Sequence, residues 1–465
     1  MTRTPGRALI ASRRSLGEEA GDNDDELDTT VPVRLKAVRV SAVQAKRLAT
    51  LAAAASFTLA GAGSSARAAG LFLTEMATPD MGRAAAGRAA IAEDAATAFT
   101  NPAGMTRLEG THLLAGLQGG FGNVRFDRGN GTTVSGGNGG NASGAFPGAG
   151  LYAVHSITPD LRIGMSLGSN FGGMLEYERG WSGRYYGTKA DLVTFGAYPV
   201  AAYKVTDWLS VGAGAQIVYG RLNNKTSVAA PLGGSDGQIQ LESSDVGFGG
   251  TAGVLIEPVA GTRFGVTYTS LVDLDFEQRP DLTGGGPVFD ALDPRISAAD
   301  VDLGLTIPQT VMLSGYHDLT PAIAVMGNVT WQNWSKFGQP SLEISGATTS
   351  QTTANLDYND TWGLALGARW RVLPKLSWSA GVAFDTSPMS KSQRTPALPL
   401  DQQIRVGTGV QYALADGVSL GAAYQYLNLG EGDLDRERGS LSGRLQGNYS
   451  TNEVHFVNVS VAWGF

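Results

Sequence analysis

From Thr111 to Phe465 the chain alternates apolar and polar positions with a period of two, in segments of roughly ten or more residues. Near the end, Val457, Val459, Val461, Trp463 and Phe465 fall on one face, and Asn458, Ser460, Ala462 and Gly464 on the other. Ile323, Val325, Val329 and Trp331 oppose Ala324, Asn328, Thr330 and Gln332 in the same way, and Ile404, Val406, Val410 and Tyr412 oppose Arg405, Gly407, Gly409 and Gln411. The connections between such segments are of two kinds in strict alternation. Short ones fall at Thr158-Pro159-Asp160, Thr206-Asp207, 257–262, Asp318-Leu319-Thr320, Leu373-Pro374 and Ala415-Asp416-Gly417; long ones fall near 127–144, 178–189, 224–238, 278–300, 336–354, 387–401 and 430–447. Seven long and six short connections join about fourteen strands, an even number that puts both ends of the sheet on the same side. Long outer loops and short periplasmic turns are the habit of bacterial outer-membrane barrels. The pattern predicts an all-β fold: a transmembrane antiparallel β-barrel with apolar residues outside and polar ones inside. A soluble β-sandwich would also alternate but would not require this succession of long strands and unequal connections.

Composition sharpens this reading. Glycine accounts for 64 of 465 residues, about twice the roughly 7% of ordinary proteins. No run of 18 apolar residues occurs, so no helix is predicted to cross a bilayer, and a membrane chain must then pair its backbone between strands. Charged residues are 17%, the net charge is -7 and there is no cysteine, which gives no reason to expect a nucleic-acid partner and fits passage through an oxidising periplasm. Trp208, Trp370, Trp378 and Trp463 sit beside the short turns, and Trp331 and Trp334 at an outer end, where interfacial aromatic girdles are expected.

The first 105 residues are different. Lys46-Arg47, an apolar run over 48–60 and Ala66-Arg67-Ala68 read as the basic region, apolar region and cleavage site of a signal peptide, with cleavage after Ala68. Residues 1–45 are polar and lie outside the predicted fold; a start codon assigned too far upstream explains them first, an extended leader second. Residues 69–105 are rich in Ala and Gly, carry charges of both signs and close on Asn101-Pro102-Ala103. A small-residue segment tethered to the first strand reads as a plug in the barrel lumen. The predicted organisation is therefore 1–68 removed, 69–106 hatch and 107–465 barrel.

Several stretches, taken in order, resemble the long-chain fatty-acid outer-membrane transporter family (FadL-type), which includes carriers of toluene-like hydrocarbons. Ala69-Gly70-Leu71, Glu75, Gly82-Arg83-Ala84 and Ala92-Glu93-Asp94-Ala95 are similar to its hatch, and Asn101-Pro102-Ala103 to the motif that ends it. Ser169-Asn170-Phe171-Gly172, Val218-Tyr219-Gly220-Arg221, Ile307-Pro308-Gln309 through Ser314-Gly315-Tyr316, residues 331–337 and Gly381 to Pro388 resemble further family segments. Two departures stand out. Tyr268-Thr269-Ser270 and Pro399-Leu400-Asp401-Gln402-Gln403 each lack an arginine usual in the family, which weakens the expectation of a carboxylate-bearing cargo.

The resemblance implies that Asn101 lies at a ligand pocket and that the third strand carries an opening in the wall. On physical grounds, Pro102 biases Asn101 to an extended backbone, so its amide can tie the hatch to the wall or meet a head group, though Asn-Pro also simply makes turns. Gly168 to Gly173, including Ser169, Asn170, Phe171, Gly172 and Gly173, interrupts a strand and marks either a plain flexible strand or a kink through which cargo leaves sideways. Arg221, Lys225 and Lys336 could anchor a carboxylate or be solvated loop charges. His112, His155, His317 and His455 are scattered without catalytic or metal-ligand spacing, so neither enzyme activity nor a cofactor is expected. The expected function is passive, hatch-gated uptake of hydrophobic molecules, long-chain fatty acids first, with lateral release into the membrane. Neutral aromatic or aliphatic hydrocarbons are the alternative cargo, and a general diffusion porin the alternative class. Expected partners are the hydrophobic cargo, outer-membrane lipids and the barrel-assembly machinery acting on Phe465, around a monomeric barrel. N-terminal sequencing of the mature protein from outer membranes is expected to begin at Ala69; a chain that retains residues before Ser64 would contradict the cleavage reading.

Overall fold

The computed structural model describes residues 76–230, 234–345, 350–353 and 356–465. The predicted signal peptide, its cleavage site and residues 69–75 lie outside the described residues. Fourteen antiparallel strands form a closed barrel. They are β1 (Thr111–Arg128), β2 (Ala145–Ser156), β3 in two pieces (Leu161–Gly168 and Gly172–Glu176), β4 (Lys189–Lys204), β5 (Leu209–Val228) and β6 (Gly237–Val259). Then come β7 (Thr262–Thr269 and Val272–Gln278) and β8 (Asp300–Ile307 and Thr310–Asp318), each also in two pieces. The circuit finishes with β9 (Ile323–Gln332), β10 (Thr361–Leu373), β11 (Leu376–Asp385), β12 (Gln403–Ala415), β13 (Val418–Asn428) and β14 (Arg444–Gly464). Closure comes from β1, which pairs with β2 from Thr111 opposite His155 and with β14 from His112 opposite Gly464. No strand edge is left along that seam to face hydrocarbon, where each unpaired backbone group costs several kcal/mol.

The two faces sort as the period-two pattern predicts. On β14, Val457 and Val459 are 47% and 54% exposed on the outside, while Asn458 and Ser460 are buried inside. Trp208, Trp370 and Trp378 are exposed beside the short turns. Trp334 departs from the girdle expected of it. It belongs to a one-turn helix, Trp334–Phe337, that follows β9 and folds inward, and it is 2% exposed.

Three strands are interrupted. β3 breaks at 169–171, β7 at Ser270-Leu271 and β8 at Pro308-Gln309, where proline has no N–H to continue a ladder. Beyond their breaks β7 and β8 leave the wall and pair with each other, Val301 opposite Gln278 and Ile307 opposite Val272. Ser341–Ser345 and Ser350–Thr353 extend this to a separate four-stranded sheet. Val272, Leu274 and Phe276 are buried, with Val272 and Leu274 against Gly247 and Leu274 and Phe276 against Gly220 on the inner faces of β6 and β5. Parts of the connections read from sequence as plain loops are thus strands, because they find a wall to pack on.

Residues 76–108 occupy the lumen. They comprise a short 3-10 turn at Pro79–Arg83, the one-turn helix α1 (Thr97–Thr100) and a second 3-10 turn at Pro102–Arg107. The wall meets them with glycine: a Cβ on Gly116 of β1 would lie 1.8 Å from the Ala77 carbonyl, on Gly265 of β7 1.9 Å from that of Ala89, and on Gly381 of β11 2.1 Å from that of Arg83. Polar inward side chains then satisfy the segment's amides. Ala77 N donates to Gln118 Oε1 (2.7 Å), Gly87 N to Asn328 Oδ1 (2.8 Å) and Ala89 N to Ser314 Oγ (3.1 Å). Part of the glycine excess is explained by this close approach.

Because the strand ladder closes without residues 76–108, a chain lacking 69–100 is expected to fold and to conduct ions at least several-fold better in planar bilayers. Equal conductance would show that the segment does not block the lumen.

Candidate functional site

Asn101 ties the lumenal segment both to itself and to the wall. Its backbone is extended (φ -162°), it caps the turn that Pro102 begins, and it is 1% exposed. Its Nδ2 donates to the carbonyls of Ala89 (2.6 Å) and, on β6, Val254 (3.1 Å), while its Oδ1 accepts from Ala103 N (3.1 Å). Pro102 and Ala103 press on Gly212 of β5. All three hydrogen bonds of this side chain are therefore internal to the protein. Elsewhere in the segment, Glu93 is held between Arg263 of β7 (3.8 Å) and Arg369 of β10. Four alanines of the segment, Ala77, Ala84, Ala85 and Ala92, have φ of 56°, 49°, 61° and 48°. The left-handed region disfavours a residue with a Cβ by roughly 1–2 kcal/mol. The wall contacts hold the segment in a strained shape.

Above it lies a central cavity of about 110 Å³. Ala84, Ala85, Arg88 and Phe99 of the lumenal segment form one side; Asn170, Gln216, Ser270, Asn328, Trp334 and Arg405 are among the groups opposite. The cavity reaches all three strand breaks, through Asn170, Ser270 and Pro308. Arg88 is 7% exposed; its Nε lies 3.0 Å from Asp80 Oδ2, its guanidinium 5.7 Å from the centre of the Phe99 ring, and its Nη2 is sealed without a hydrogen-bond partner. Arg405 is paired with Asp385 and donates to Gln403 Oε1 (2.9 Å).

At the first break, Ser169 is half-buried, and Asn170 Oδ1 accepts from Tyr198 of β4 (3.0 Å). Thr194 donates to the Phe171 carbonyl, and the Phe171 ring is fully buried. Gly172 has φ +142°, and a Cβ there would lie 2.4 Å from the Leu192 carbonyl, so this kink requires glycine. Gly173 lines a second, outer cavity of about 190 Å³ with Leu175, Leu192, Leu222, Leu305 and Phe337. Ala397 to Leu400 also line that cavity, and a buried guanidinium holds them in place. Arg394 holds the 397–400 stretch through Leu400 O (2.7 Å) and Asp401 (3.2 Å); burial draws it below its ordinary pKa and Asp401 opposes the shift.

Of the residues singled out in the sequence, the structure brings Asn170, Phe171, Gly172 and Gly173 together beside the cavities. Asn101, Pro102 and Ala103 sit at the junction with β5 and β6. Arg221 is exposed and paired with Glu242, Lys225 shares its outward face of β5, and Lys336 is exposed on the inward-folding helix; none of the three lines either cavity. Sequence reasoning did not single out Arg88 and Arg405 as site residues. Arg405 carried a signal, since the alternation already put it on the inner face of its strand. Arg88 carried none, because nothing local tells which residue of the lumenal segment faces the cavity.

A closed lipid-facing barrel with a filled lumen and internal cavities defines an outer-membrane transport protein of bacteria, a channel and not an enzyme. The chain belongs to the outer membrane protein transport protein family (OMPP1/FadL/TodX), whose model matches residues 59–465. It is 29% identical over 407 residues to outer membrane protein P1 of Haemophilus influenzae, covering 78% of this chain and 86% of that one. It is 26% identical over 400 residues to the long-chain fatty acid transport protein of Escherichia coli K12, covering 77% and 88%. Its fold matches the crystal structure of a Pseudomonas aeruginosa FadL homologue with a TM-score of 0.77 at 22% identity, over 85% of this chain and all of that one.

Gly172→Ala is expected to lower stability by roughly 1–3 kcal/mol, the usual cost of a side chain forced into a glycine-only conformation. Thermal unfolding in detergent reads this; an unchanged midpoint would show that the kink is not fixed by Gly172.

Proposed function

We propose that the protein takes up long-chain fatty acids by passive passage through the barrel, with the carboxylate resting in the central cavity against Arg88. The observation that carries this reading is the sealed, unpartnered Nη2 of Arg88. A buried polar group without a partner costs roughly 1–3 kcal/mol, more when charged, and a carboxylate is the acceptor best matched to a guanidinium. Arg405 supplies a second cation to the same cavity. Together they offset the two arginines absent at Thr269 and Gln402-Gln403 relative to the family pattern. The acyl chain supplies most of the affinity: about ten buried methylenes give a gross gain of roughly 8 kcal/mol. Cargo held that tightly leaves slowly unless the site changes shape.

Residues 76–108 act as the hatch that makes this change. Support comes from the four left-handed alanines, two of which line the cavity, and from the Arg88–Asp80 pair that an arriving carboxylate would compete with. Asn101 anchors the hatch to β6 while its cavity side moves. The break at 169–171 provides the sideways exit into the membrane, its freed backbone groups being met by Thr194 and its Asn170 side chain by Tyr198.

Arg88→Gln is expected to reduce fatty-acid uptake about tenfold, by removing the charge that holds the carboxylate, and to leave uptake of a neutral hydrocarbon such as toluene within twofold. Uptake by cells carrying this barrel as their route for hydrophobic molecules measures both. An equal loss for both cargoes would assign Arg88 to hatch structure, and no loss for either would favour neutral hydrocarbons as the cargo.

A further inference from the structure

We propose that Phe171, Trp334 and Phe337 form an aromatic valve between the outer and central cavities, and that the width of this valve selects the cross-section of the cargo. The proposal rests on the reading that hydrophobic molecules pass through the lumen. The two cavities are separated along the chain by two residues, Phe171 and Gly172: Asn170 lines the central one and Gly173 the outer one. Phe171 stands between them with its ring fully buried. The facing helix repeats the arrangement, with Trp334 lining the central cavity and Phe337 the outer one. The ring centres of Phe171 and Phe337 are 5.7 Å apart, those of Trp334 and Phe337 5.5 Å and those of Phe171 and Trp334 6.4 Å. The first two pairs meet edge to face and the third is tilted. Three mutually touching rings thus lie between the two spaces.

The chemistry of the closure suits a greasy cargo. No hydrogen bond joins one ring to another, so an apolar molecule can exchange ring-to-ring contact for ring-to-cargo contact at little net cost. Water and ions gain nothing by the same displacement. The three rings are not equally mobile. Trp334 Nε1 donates to Gln332 Oε1 at 3.0 Å, which fixes it as a post. Phe171 is pinned through its backbone by Thr194 and by the glycine conformation that follows it. Phe337 is half-buried at the end of a one-turn helix, and is the leaf that swings. A slender chain or a single flat ring passes by displacing Phe337 alone. A fused polycyclic ring must displace Phe171 as well, and with it the kink in the wall.

The test compares uptake of toluene, naphthalene and pyrene by cells expressing the full chain, Phe337→Ala, Phe171→Ala or Phe337→Trp. Removing either phenylalanine is expected to raise the pyrene-to-toluene uptake ratio at least tenfold. Phe337→Trp is expected to lower naphthalene uptake more than toluene uptake. Phe337 lies on a loop helix outside the barrel ladder, so its two variants carry the test even where Phe171→Ala does not fold. Parental uptake with an unchanged ratio in the folded Phe337 variants overturns the valve alone. A parental barrel that takes up a long-chain fatty acid but none of the three probes overturns the valve alone, and one that takes up neither overturns the uptake reading and the valve with it.

Discussion

Hydrocarbon offers no partner to a backbone N–H or C=O, and every other feature of this protein follows from how that constraint is met. The pairing of β1 with both β2 and β14 removes the free edge, and the outward apolar positions then face lipid. Closure leaves an interior lined by the opposite set of residues, small or polar. Such an interior would be a water-filled pore if nothing filled it. Here residues 76–108 fill it, admitted by wall glycines and held by inward amides and hydroxyls.

The same constraint explains where the wall can be interrupted. A strand that leaves the ladder must find other partners for its freed groups. β7 and β8 find them in each other and in the short strands that extend their sheet, with leucine and phenylalanine side chains set against glycines of the wall. At the β3 break the Thr194 hydroxyl donates to the Phe171 carbonyl, and a glycine conformation at Gly172 that no other residue adopts easily lets the strand rejoin the ladder. The interruptions border the central cavity, so the places where the barrel is least regular are also where a hydrophobic molecule can be received and released.

Strand faces were legible in the sequence because lipid imposes a period of two on every segment, as at Val457 to Ser460. The break at Gly168 to Gly173 was legible because glycine clusters mark irregular backbone. The break in β7 was not, since Ser270-Leu271 look like ordinary strand residues, and in β8 Pro308 signals an interruption but only the inward sheet shows where the chain goes. Trp334 looked like a girdle residue by its place at a strand end, but the helix that begins there turns it inside. The cations Arg221, Lys225 and Lys336 stand out in the sequence by charge, whereas Arg88 stands out only in the structure, where it lines the central cavity with a sealed nitrogen, and which residue of the lumenal segment faces that cavity depends on the distant strands that surround it.

The central claim is that the central cavity beside Arg88 receives a carboxylate with a long apolar tail. Mass spectrometry of the small molecules retained by the gently purified barrel tests it most directly. The expected result is a long-chain carboxylic acid at about one per barrel. A barrel that retains only neutral hydrocarbon, or nothing beyond detergent, would contradict it.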